Sequence, residues 1–462
     1  MTIHPSSLSL HPSGVHPSSF IPHPLAKAPL AEILRSWQLD DFRPLQRDAI
    51  CAHLQGRDSL VVMPTGSGKS LCYQAPALLD AGLTLVVSPL ISLMKDQVDS
   101  LQRRFSTFPP IGGGYREGDI AAFINSSQDA HEQLEVEQAV RSGAIKILYA
   151  SPERAVTPAF ITLLSKSGLS AIVIDEAHCI AQWGHDFRPK YAQLGKLRTL
   201  FPRVPIHAFT ATATLEVQRE IHEALFLDDP AVLIGDFDRP NIHLAVVQRT
   251  ELDDQLVAYA RRRDGDAGIV YCMTRGETER IADKLDACGI AAFAYHAGLG
   301  DDVRRSVQDA FMRAEIDVVV ATVAFGMGID RPDVRFVIHA CMPSSMETYH
   351  QELGRAGRDG YPAESVILYD DRDFARWLDL FESGDQADLG HLEAKEEHLS
   401  EMDSYCHSRL SPCCRHRRLV EYFTDTHDPP DGTQPDPCGN CDLCEAHETS
   451  KRQNIETSKQ RT

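Results

Sequence analysis

The sequence lacks any run of about 20 consecutive apolar residues, which is the length that a helix needs to cross a lipid bilayer. It also lacks a basic N-terminal segment followed by an apolar run, which would indicate a secretory signal. An excess of basic residues is absent too, since 46 Lys and Arg stand against 66 Asp and Glu and give a net charge of −20. We therefore expect a cytoplasmic protein without membrane contact, and any nucleic acid would bind in a local groove rather than on a uniformly basic surface.

Cysteine is present but is not spread evenly along the chain. Because disulfides are rare in the cytosol, the 12 cysteines are not expected to form a disulfide framework. Six of them lie between Cys406 and Cys444. This concentration predicts metal binding in the C-terminal part of the chain.

With 462 residues, the chain is longer than a single hydrophobic core usually serves. Residues 1–25 repeat His-Pro-Ser units that are too poor in large apolar groups to fold, and they predict a disordered tail. A Pro- and Gly-rich stretch between Phe105 and Asp119 indicates a surface insertion. From the length of the chain we expect two or three domains in an ordinary soluble protein.

Short apolar runs alternate with amphipathic stretches over most of the chain, a pattern typical of parallel sheets covered on both faces. The runs are SLVVM (59–63), LTLVVS (83–88), KILYA (146–150), AIVIDE (171–176) and IHAFTAT (206–212), and then GIVYC (268–272), AAFAYH (291–296), DVVVAT (317–322) and VRFVIH (334–339). Because the pattern restarts after DFDRPN (236–241), we predict two α/β lobes, over residues 26–236 and 237–372. A small helical, cysteine-rich module (373–446) and a polar tail (447–462) follow.

The segment MPTGSGKS (63–70) follows an apolar run and precedes a helical stretch, as a phosphate-binding loop requires. Backbone N–H groups around its glycines would surround phosphates, the lysine would reach the β and γ oxygens, and the final serine would ligate Mg²⁺. Met63 replaces the usual first glycine of this pattern. The predicted nucleotide-binding residues of the loop are Thr65, Gly66, Ser67, Gly68, Lys69 and Ser70.

Two further segments complete a site for phosphoryl transfer. DEAH (175–178) ends an apolar run, so that Asp175 would help to hold Mg²⁺ and Glu176 would deprotonate the attacking water. QELGRAGR (351–358) places Arg355 and Arg358 three positions apart on a predicted helix, where they would face the same side. Arg358 is the candidate arginine finger and Arg355 its catalytic partner. A solvated basic helix end is the alternative for these arginines.

Together with these motifs, several other blocks resemble the RecQ family of superfamily 2 helicases over roughly residues 30–445. The blocks are FRPLQ (42–46), SPLISLMKDQV (88–98), SPER (151–154), DEAHCIAQWGHDFRPKY (175–191), FTATAT (209–214), YCMTRGETE (271–279), YHAGL (295–299), ATVAFGMGID (321–330) and QELGRAGRDG (351–360). The resemblance implies two tandem RecA-like lobes followed by a small helical zinc-binding module.

The resemblance also assigns nucleotide contacts outside the loop. It implies that Gln46 reads the adenine edge, that Arg43 lies against the base and that Asp330 lies near the sugar. A glutamine amide can both donate to and accept from adenine. The family often has an aromatic residue that stacks on adenine at one further position. This sequence has Leu39 there, which lacks an aromatic ring. Thr210 and Thr212 would link the nucleotide state to the DNA path.

For DNA contact, the resemblance indicates an aromatic-rich loop directly after DEAH and several positions in the second lobe. Stacking on aromatic rings tolerates any base, as a translocating motor needs. Packing between the lobes is the alternative for the two aromatic residues of the loop, and a core position is the alternative for the histidine of the second lobe. The implied residues are Trp183, His185, Phe187 and Arg188 in the loop, and Arg275, His296 and Thr322 in the second lobe.

CGNCDLC (438–444) supplies three thiols, Cys438, Cys441 and Cys444, and tetrahedral Zn²⁺ requires a fourth ligand. The resemblance of CRHRRLVEYF (414–423) to a family helix favours Cys414, with Cys413 as the main competitor and His416 as a weaker one. Four thiolates leave zinc no open position for water, so the metal is expected to be structural.

The implied activity is ATP-driven 3′ to 5′ translocation on single-stranded DNA with duplex unwinding, in DNA repair or recombination. The implied cofactors are ATP, Mg²⁺ and Zn²⁺. The partners would be single-stranded and tailed duplex DNA, with a single-strand-binding protein as a candidate, and we expect a monomer that is nucleoid-associated in a bacterium. An RNA helicase and a DNA-annealing or scaffolding ATPase are the alternatives. No winged helix is visible, so unwinding would depend on the two lobes and the zinc module or would be weak.

Overall fold

The computed structural model describes residues 27–89, 91–105, 120–126, 128–181, 188–326, 329, 331–383, 389–407, 414–424 and 437–447. They form two parallel β-sheets with helices on their faces, followed by a helical region that carries four clustered cysteines. The predicted fold class is confirmed. Within these ranges, none of the helices combines the length and apolar character that crossing a bilayer requires. The N-terminal repeats, the Pro- and Gly-rich stretch and the C-terminal tail lie largely outside the described residues.

The first lobe is built on a sheet of seven parallel strands. They are β1 (Ser59–Val62), β2 (Leu83–Val87), β3 (Ala121–Ile124), β4 (Ile147–Ala150), β5 (Leu169–Ile174), β6 (Ile206–Thr210) and β7 (Ala231–Ile234). Their order in the sheet is β3-β4-β2-β5-β6-β1-β7. The strands β5, β6 and β1 are therefore neighbours at the centre, where their carboxyl ends meet at one edge.

Helices cover both faces of this sheet. They are α1 (Lys27–Trp37), α2 (Gln46–Leu54), α3 (Lys69–Ala77), α4 (Ile91–Phe105), α5 (Ala130–Ser142), α6 (Pro152–Ala155), α7 (Pro158–Ser165), α8 (Lys196–Leu200) and α9 (Leu215–Leu225), with 3₁₀ turns at Ala177–Ile180 and Tyr191–Gln193. In α9, the helical spacing of Val217, Ile221 and Leu225 places all three on the buried face. The Thr214 hydroxyl accepts from the backbone N–H of Val217 and begins this helix.

The second lobe repeats the architecture with six parallel strands. They are β8 (Ile242–Gln248), β9 (Ala267–Tyr271), β10 (Ala292–Tyr295), β11 (Val318–Ala321), β12 (Val334–His339) and β13 (Ala363–Tyr369), with helices α10 (Leu252–Arg262), α11 (Arg275–Ala287), α12 (Asp301–Met312) and α13 (Met346–Leu353). The strand order is β10-β11-β9-β12-β13-β8. Each apolar run that predicted a strand forms one, and the structure adds β3, β7, β8 and β13.

The C-terminal module consists of α14 (Asp373–Glu382), α15 (Leu389–Cys406), α16 (Arg415–Thr424) and residues 437–447. It packs on the second lobe, where the backbone N–H of Leu244 in β8 donates to the Asn440 carbonyl at 3.3 Å. The carboxylate of Asp442 accepts from the backbone N–H of Val246 at 3.1 Å and from the fully buried Arg415 guanidinium. The cysteine-rich segment therefore covers part of an edge strand, which would otherwise expose unpaired backbone groups.

A buried carboxylate precedes β1 and ties three parts of the first lobe together. One oxygen of Asp58 accepts from the backbone N–H of Ile206 at 2.8 Å, and the other accepts from the N–H of Asp228 at 2.8 Å. The Arg198 guanidinium donates to the second oxygen. Asp58 is only 5% exposed, so its charge depends on these donors.

We predict that Asp58→Ala lowers the free energy of unfolding of the first lobe by about 3–5 kcal/mol, since it leaves an arginine and two backbone donors without their acceptor. Urea denaturation followed by fluorescence and circular dichroism measures this change. Arg198→Ala should cost less, because the two backbone donors still satisfy the carboxylate. Equal stability of Asp58→Ala and the wild type would contradict this account.

Candidate functional site

The predicted catalytic segments come together because they follow neighbouring strands of the first sheet. The phosphate loop follows β1 and the DEAH segment follows β5, while Thr210 ends β6 and Thr212 lies just beyond it. Parallel α/β sheets bind ligands at the carboxyl edge of their strands. The phosphate loop therefore shares one edge with two segments that follow it by more than 100 residues in sequence.

The phosphate loop turns sharply at two glycines. Gly66 has φ 80° and Gly68 has φ 83°, both in the left-handed region that side chains disfavour. A Cβ atom at Gly68 would lie 2.5 Å from Nε2 of Gln46, so the close approach also requires glycine. Gly68 directly precedes α3, and the first N–H groups of that helix have no partner within the helix and can bind an anion.

Lys69 lies at the start of α3 and its amine points back into the loop. Its Nζ donates to the backbone carbonyls of Met63 at 3.0 Å and Pro64 at 3.4 Å. Burial lowers the pKa of Lys69, whereas the nearby carboxylates of Glu176 and Asp175 raise it. These opposite charges favour the ammonium form, which can bind phosphate oxygens.

Met63 departs from the usual loop pattern, and the structure gives the reason that this position accepts a large residue. Its side chain is 2% exposed and belongs to the apolar core of the first lobe. Only its backbone takes part in the loop, where the N–H donates to the Thr210 carbonyl at 3.0 Å. The substitution therefore leaves the phosphate-facing part of the loop unchanged.

Arg43 and Gln46 both brace the phosphate loop. Arg43 donates through Nη1 to the Gly66 carbonyl at 2.6 Å. Gln46 donates through Nε2 to the Ser67 carbonyl at 3.0 Å, and its Oε1 accepts from the backbone N–H of Arg43 at 2.9 Å. Leu39 is half-buried and packs against the apolar core of the first lobe. The assignment of these residues to adenine stays a prediction.

The two acidic residues of DEAH differ in their surroundings. Asp175 is 8% exposed, and burial next to Glu176 raises the pKa of Asp175 to about 7, although Lys69 opposes the shift. The Tyr191 hydroxyl donates to the Asp175 carbonyl at 3.0 Å. Glu176 has φ 49° and is half-buried, so the backbone turns sharply where its side chain emerges. Such strain is found at functional sites.

A chain of hydrogen bonds leads from DEAH to the second lobe. Nδ1 of His178 lies 2.9 Å from the Thr210 hydroxyl, which donates to the Thr212 carbonyl at 3.0 Å. Nε2 of Gln351 in α13 donates to the Thr212 hydroxyl at 3.1 Å. Nδ1 of His178 also lies 3.4 Å from a carboxylate oxygen of Glu176. The candidate base is thus connected to the segment that carries the two arginines.

Arg358 crosses from the second lobe to the phosphate loop. A Cβ atom at Gly66 would lie 3.1 Å from Cγ of Arg358 and 3.2 Å from its Cδ, so the side chain lies directly on the loop. Gly354 also approaches the loop, since a Cβ atom placed on Gly354 would lie 3.5 Å from the Cβ of Thr65. This geometry suits an arginine finger.

Arg355 is placed differently from Arg358. It is 6% exposed and donates to the backbone carbonyl of Gly326 within the second lobe. A Cβ atom at Gly326 would lie 2.6 Å from its Nη2. The two arginines therefore contact different loops, although their spacing predicted that they face the same side. Arg358 lies on the phosphate loop, whereas Arg355 contacts the loop that follows β11.

The predicted DNA-contacting residues of the second lobe lie at one edge of its sheet. Arg275 follows β9, His296 follows β10 and Thr322 follows β11, and these strands are neighbours. His296 is 3% exposed and its Nε2 lies 3.0 Å from Oε1 of Glu279, whereas Arg275 is exposed. A Cβ atom at Gly298 would lie 3.2 Å from both Arg275 and His296, so the two side chains are close.

Several predicted residues fall outside the described ranges. They are Trp183, His185, Phe187 and Asp330. Arg188 is described, and its guanidinium donates to the Pro89 carbonyl at 3.4 Å. Cys413, the competitor for the fourth metal ligand, also lies outside the described residues.

Cys414, Cys438, Cys441 and Cys444 form a cluster in which the four sulfur atoms lie within 4.8 Å of one another. Hydrogen bonding from Cys414 lowers the pKa of Cys441 to about 4. The same bond raises the pKa of Cys414, and burial raises the pKa of Cys438 to about 12. Because four neighbouring thiolates need a compensating cation, the cluster fits tetrahedral Zn²⁺.

His416 is not part of this cluster. Its Nδ1 lies 2.6 Å from Oδ1 of Asp238, and its Nε2 lies 3.1 Å from the Asn440 carbonyl. Both ring nitrogens therefore face oxygen atoms. His178 and Arg239 also lie beside the site, although the sequence predicts no role for either. His178 is the last residue of DEAH, which could have indicated a role, whereas Arg239 lies in the boundary segment DFDRPN and carries no such signal.

Three family models match the chain in sequence order. The DEAD/DEAH box helicase model matches residues 43–221, and the helicase conserved C-terminal domain matches residues 248–360. The RecQ zinc-binding model matches residues 371–445. These ranges follow the two lobes and the C-terminal module.

Curated relatives align over most of the chain. It is 45% identical to ATP-dependent DNA helicase RecQ of Pasteurella multocida over 91% of its length, and 45% identical to the Haemophilus influenzae protein of the same name over 87%. Identity to ATP-dependent DNA helicase RecQ of Bacillus subtilis is 40% over 88% of the chain. The chain spans 63%, 61% and 65% of the length of these three relatives.

Solved structures share the fold at low sequence identity. Saccharomyces cerevisiae Dbp5 bound to RNA and ADP BeF3 superimposes with a TM-score of 0.59 at 14% identity, covering 85% of this chain and 97% of Dbp5. The Mycobacterium smegmatis helicase Lhr bound to ssDNA and AMP-PNP gives 0.58 at 20% identity, covering 86% of this chain and 56% of Lhr. With both helicase domains joined to a RecQ zinc-binding module and with RecQ relatives aligned over about nine tenths of its length, the chain belongs to the RecQ family.

Proposed function

We propose that this chain is an ATP-dependent DNA helicase that couples ATP hydrolysis to 3′ to 5′ translocation on single-stranded DNA and to duplex unwinding. The observation that carries the proposal is the position of Arg358 on the phosphate loop, because the proposed nucleotide site would then contain side chains from both lobes. The names of the RecQ relatives support DNA as the substrate. DNA repair or recombination is the process we propose.

Hydrolysis of ATP would use groups from both lobes. Lys69 and the N–H groups at the start of α3 would bind the β- and γ-phosphates, and Glu176 would accept the proton of the attacking water. Arg358 would stabilise the charge that develops on the transferred phosphoryl group. Ser70 and Asp175 would hold Mg²⁺, whose positive charge favours the ionised form of the Asp175 carboxylate. The Gln46 amide, Arg43 and Asp330 would contact the adenine and the sugar.

DNA would lie across the edges where the strands of the two sheets end. Arg275, His296 and Thr322 would contact it from the second lobe. Trp183, His185, Phe187 and Arg188 would contact it from the first lobe. Arg355 would act on the DNA side rather than on phosphate, because it holds the loop after β11 that also contains Thr322.

We further propose that the protein acts as a monomer in the cytoplasm, nucleoid-associated in a bacterium, on single-stranded and tailed duplex DNA. A single-strand-binding protein is a further proposed partner, which would bind the separated single strands.

We predict that Lys69→Ala and Glu176→Gln each lower the kcat of DNA-stimulated ATP hydrolysis by at least about 10²-fold, since one removes a phosphate contact and the other the general base. A coupled phosphate-release assay measures the rate. Glu176→Gln should still bind a fluorescent ATP analogue with near wild-type affinity. The matched control is Glu216→Gln, an exposed position of α9 that should hydrolyse ATP normally. Full activity in either site variant would refute the assignment.

We predict unwinding of a 3′-tailed duplex and little unwinding of a 5′-tailed one, because the proposed polarity allows loading on a 3′ tail. A fluorescence strand-displacement assay on 3′-tailed, 5′-tailed and forked duplexes measures this. Equal stimulation of ATP hydrolysis by single-stranded RNA and DNA would favour an RNA helicase instead. ATP turnover without strand displacement would favour the annealing or scaffolding alternative.

We predict that Cys438→Ser releases about one equivalent of zinc and lowers the melting temperature, because metal binding and folding of such modules are coupled. Metal analysis and calorimetry measure both effects. Cys288→Ser should retain its zinc, since Cys288 lies at the end of α11 in the second lobe. Normal zinc content in Cys438→Ser would exclude this cysteine as a ligand.

A further inference from the structure

Residues 235–241 join the two lobes and form the interlobe linker. Phe237 of the linker is fully buried, and its ring stacks on Phe423 of α16 with 4.6 Å between ring centroids. Nε2 of His350 in α13 donates to the Phe237 carbonyl at 3.1 Å. The linker is therefore packed between the C-terminal module and the helix that leads to Arg358.

Arg239 of the linker binds the turn that follows α13. Its Nη1 donates to the Gly354 carbonyl at 3.3 Å, and its Nη2 donates to the carbonyls of Ala356 at 2.8 Å and Gly357 at 3.1 Å. These carbonyls lie at and just beyond the C-cap residue Gly354, and a guanidinium near the end of a helix is favourable. The Gly357 carbonyl also accepts from the side chain of Asn241 in the linker at 2.9 Å. Arg239 thus holds three carbonyls of the turn that ends at Arg358.

The C-terminal module holds the residues on either side of Arg239. Nδ1 of His416 in α16 lies 2.6 Å from the carboxylate of Asp238. The side chain of Asn440, between two cysteines of the cluster, donates to the Pro240 carbonyl at 2.9 Å. The Asn440 carbonyl lies 3.1 Å from Nε2 of the same His416. The backbone of Arg239 is therefore fixed from both sides by the cysteine-rich module.

We infer that Arg239 is a positioning residue for the arginine finger Arg358, and that the zinc module sets the position of Arg239 through His416 and Asn440. The inference rests on the proposed function, since it assigns a role within ATP hydrolysis. It gives the module a part in catalysis as well as in folding. The physical basis is geometric, because a displacement of about 1 Å in a catalytic group can lower a rate by about 10²-fold.

The first experiment compares Arg239→Ala with Arg358→Ala and with the double variant. Arg239→Ala should lower kcat by about tenfold to a hundredfold and leave the KM for ATP within about twofold, since Lys69 and the loop still bind phosphate. The double variant should be no slower than Arg358→Ala alone, because residues that act as a unit are not additive. Arg239→Lys should recover part of the rate, since an ammonium group also donates to carbonyls.

The matched control is Arg198→Ala, which removes an arginine that donates to the Val204 carbonyl and to the Asp58 carboxylate within the first lobe. It should lose stability without losing kcat. Unchanged kcat in Arg239→Ala, or multiplicative losses in the double variant, would overturn the inference while wild-type turnover upholds the proposed function. Absence of wild-type turnover would overturn both.

The second experiment tests the connection to the zinc module with His416→Ala and Asn440→Ala. Both should keep a full equivalent of zinc, because all four proposed ligands are cysteines, and both should lower kcat by several-fold with little change in KM. Each variant in the Arg239→Ala background should add no further loss. Normal kcat in both variants with zinc retained would show that the module does not act on the finger and would overturn this part of the inference.

Discussion

The contact between Arg358 and Gly66 is the constraint on which the arrangement of the two lobes depends. An arginine side chain of one lobe lies on the backbone of a loop in the other, with 3.1 Å between its Cγ and the place of a Cβ atom at Gly66. Any larger residue at Gly66 would push the side chain away, and the positive φ of 80° also disfavours it. The glycine that shapes the phosphate loop therefore also admits the arginine. One small residue thereby serves both nucleotide binding and the junction of the lobes.

The charges around this contact balance one another only in part. Burial lowers the pKa of Lys69, and the nearby positive charge of Arg358 lowers it further. Glu176 and Asp175 oppose this shift, while burial and the repulsion from Glu176 raise the pKa of Asp175 to about 7. The site therefore combines two cationic side chains with two neighbouring carboxyl groups. This combination suits a polyanionic ligand that binds together with a divalent cation. Under the proposed function, these charges would be in place before ATP binds, which is what electrostatic stabilisation requires.

Local sequence patterns predicted the two sheets and the phosphate loop, since both follow from runs of neighbouring residues. Strands β7 and β8 were not predicted, because β7 alternates buried and exposed positions and β8 directly follows the boundary segment. The separation of Arg355 from Arg358 could not be predicted from helical spacing, because α13 ends at Leu353, before both residues. The role of Arg239 depends on carbonyls 115 to 118 positions away, and no local pattern reports such contacts.

The turn that carries Arg358 is held from two sides by different parts of the molecule. On one side, Gln351 reaches Thr212 of the first lobe, which connects through Thr210 and His178 to the acidic residues. On the other side, Arg239 connects the turn to the interlobe linker and the C-terminal module. A turn bound at both ends cannot follow one neighbour without straining its bonds to the other. Under the proposed function, a shift between the lobes during ATP hydrolysis would therefore change the position of Arg358 relative to phosphate, while the C-terminal module would hold Arg239 in place.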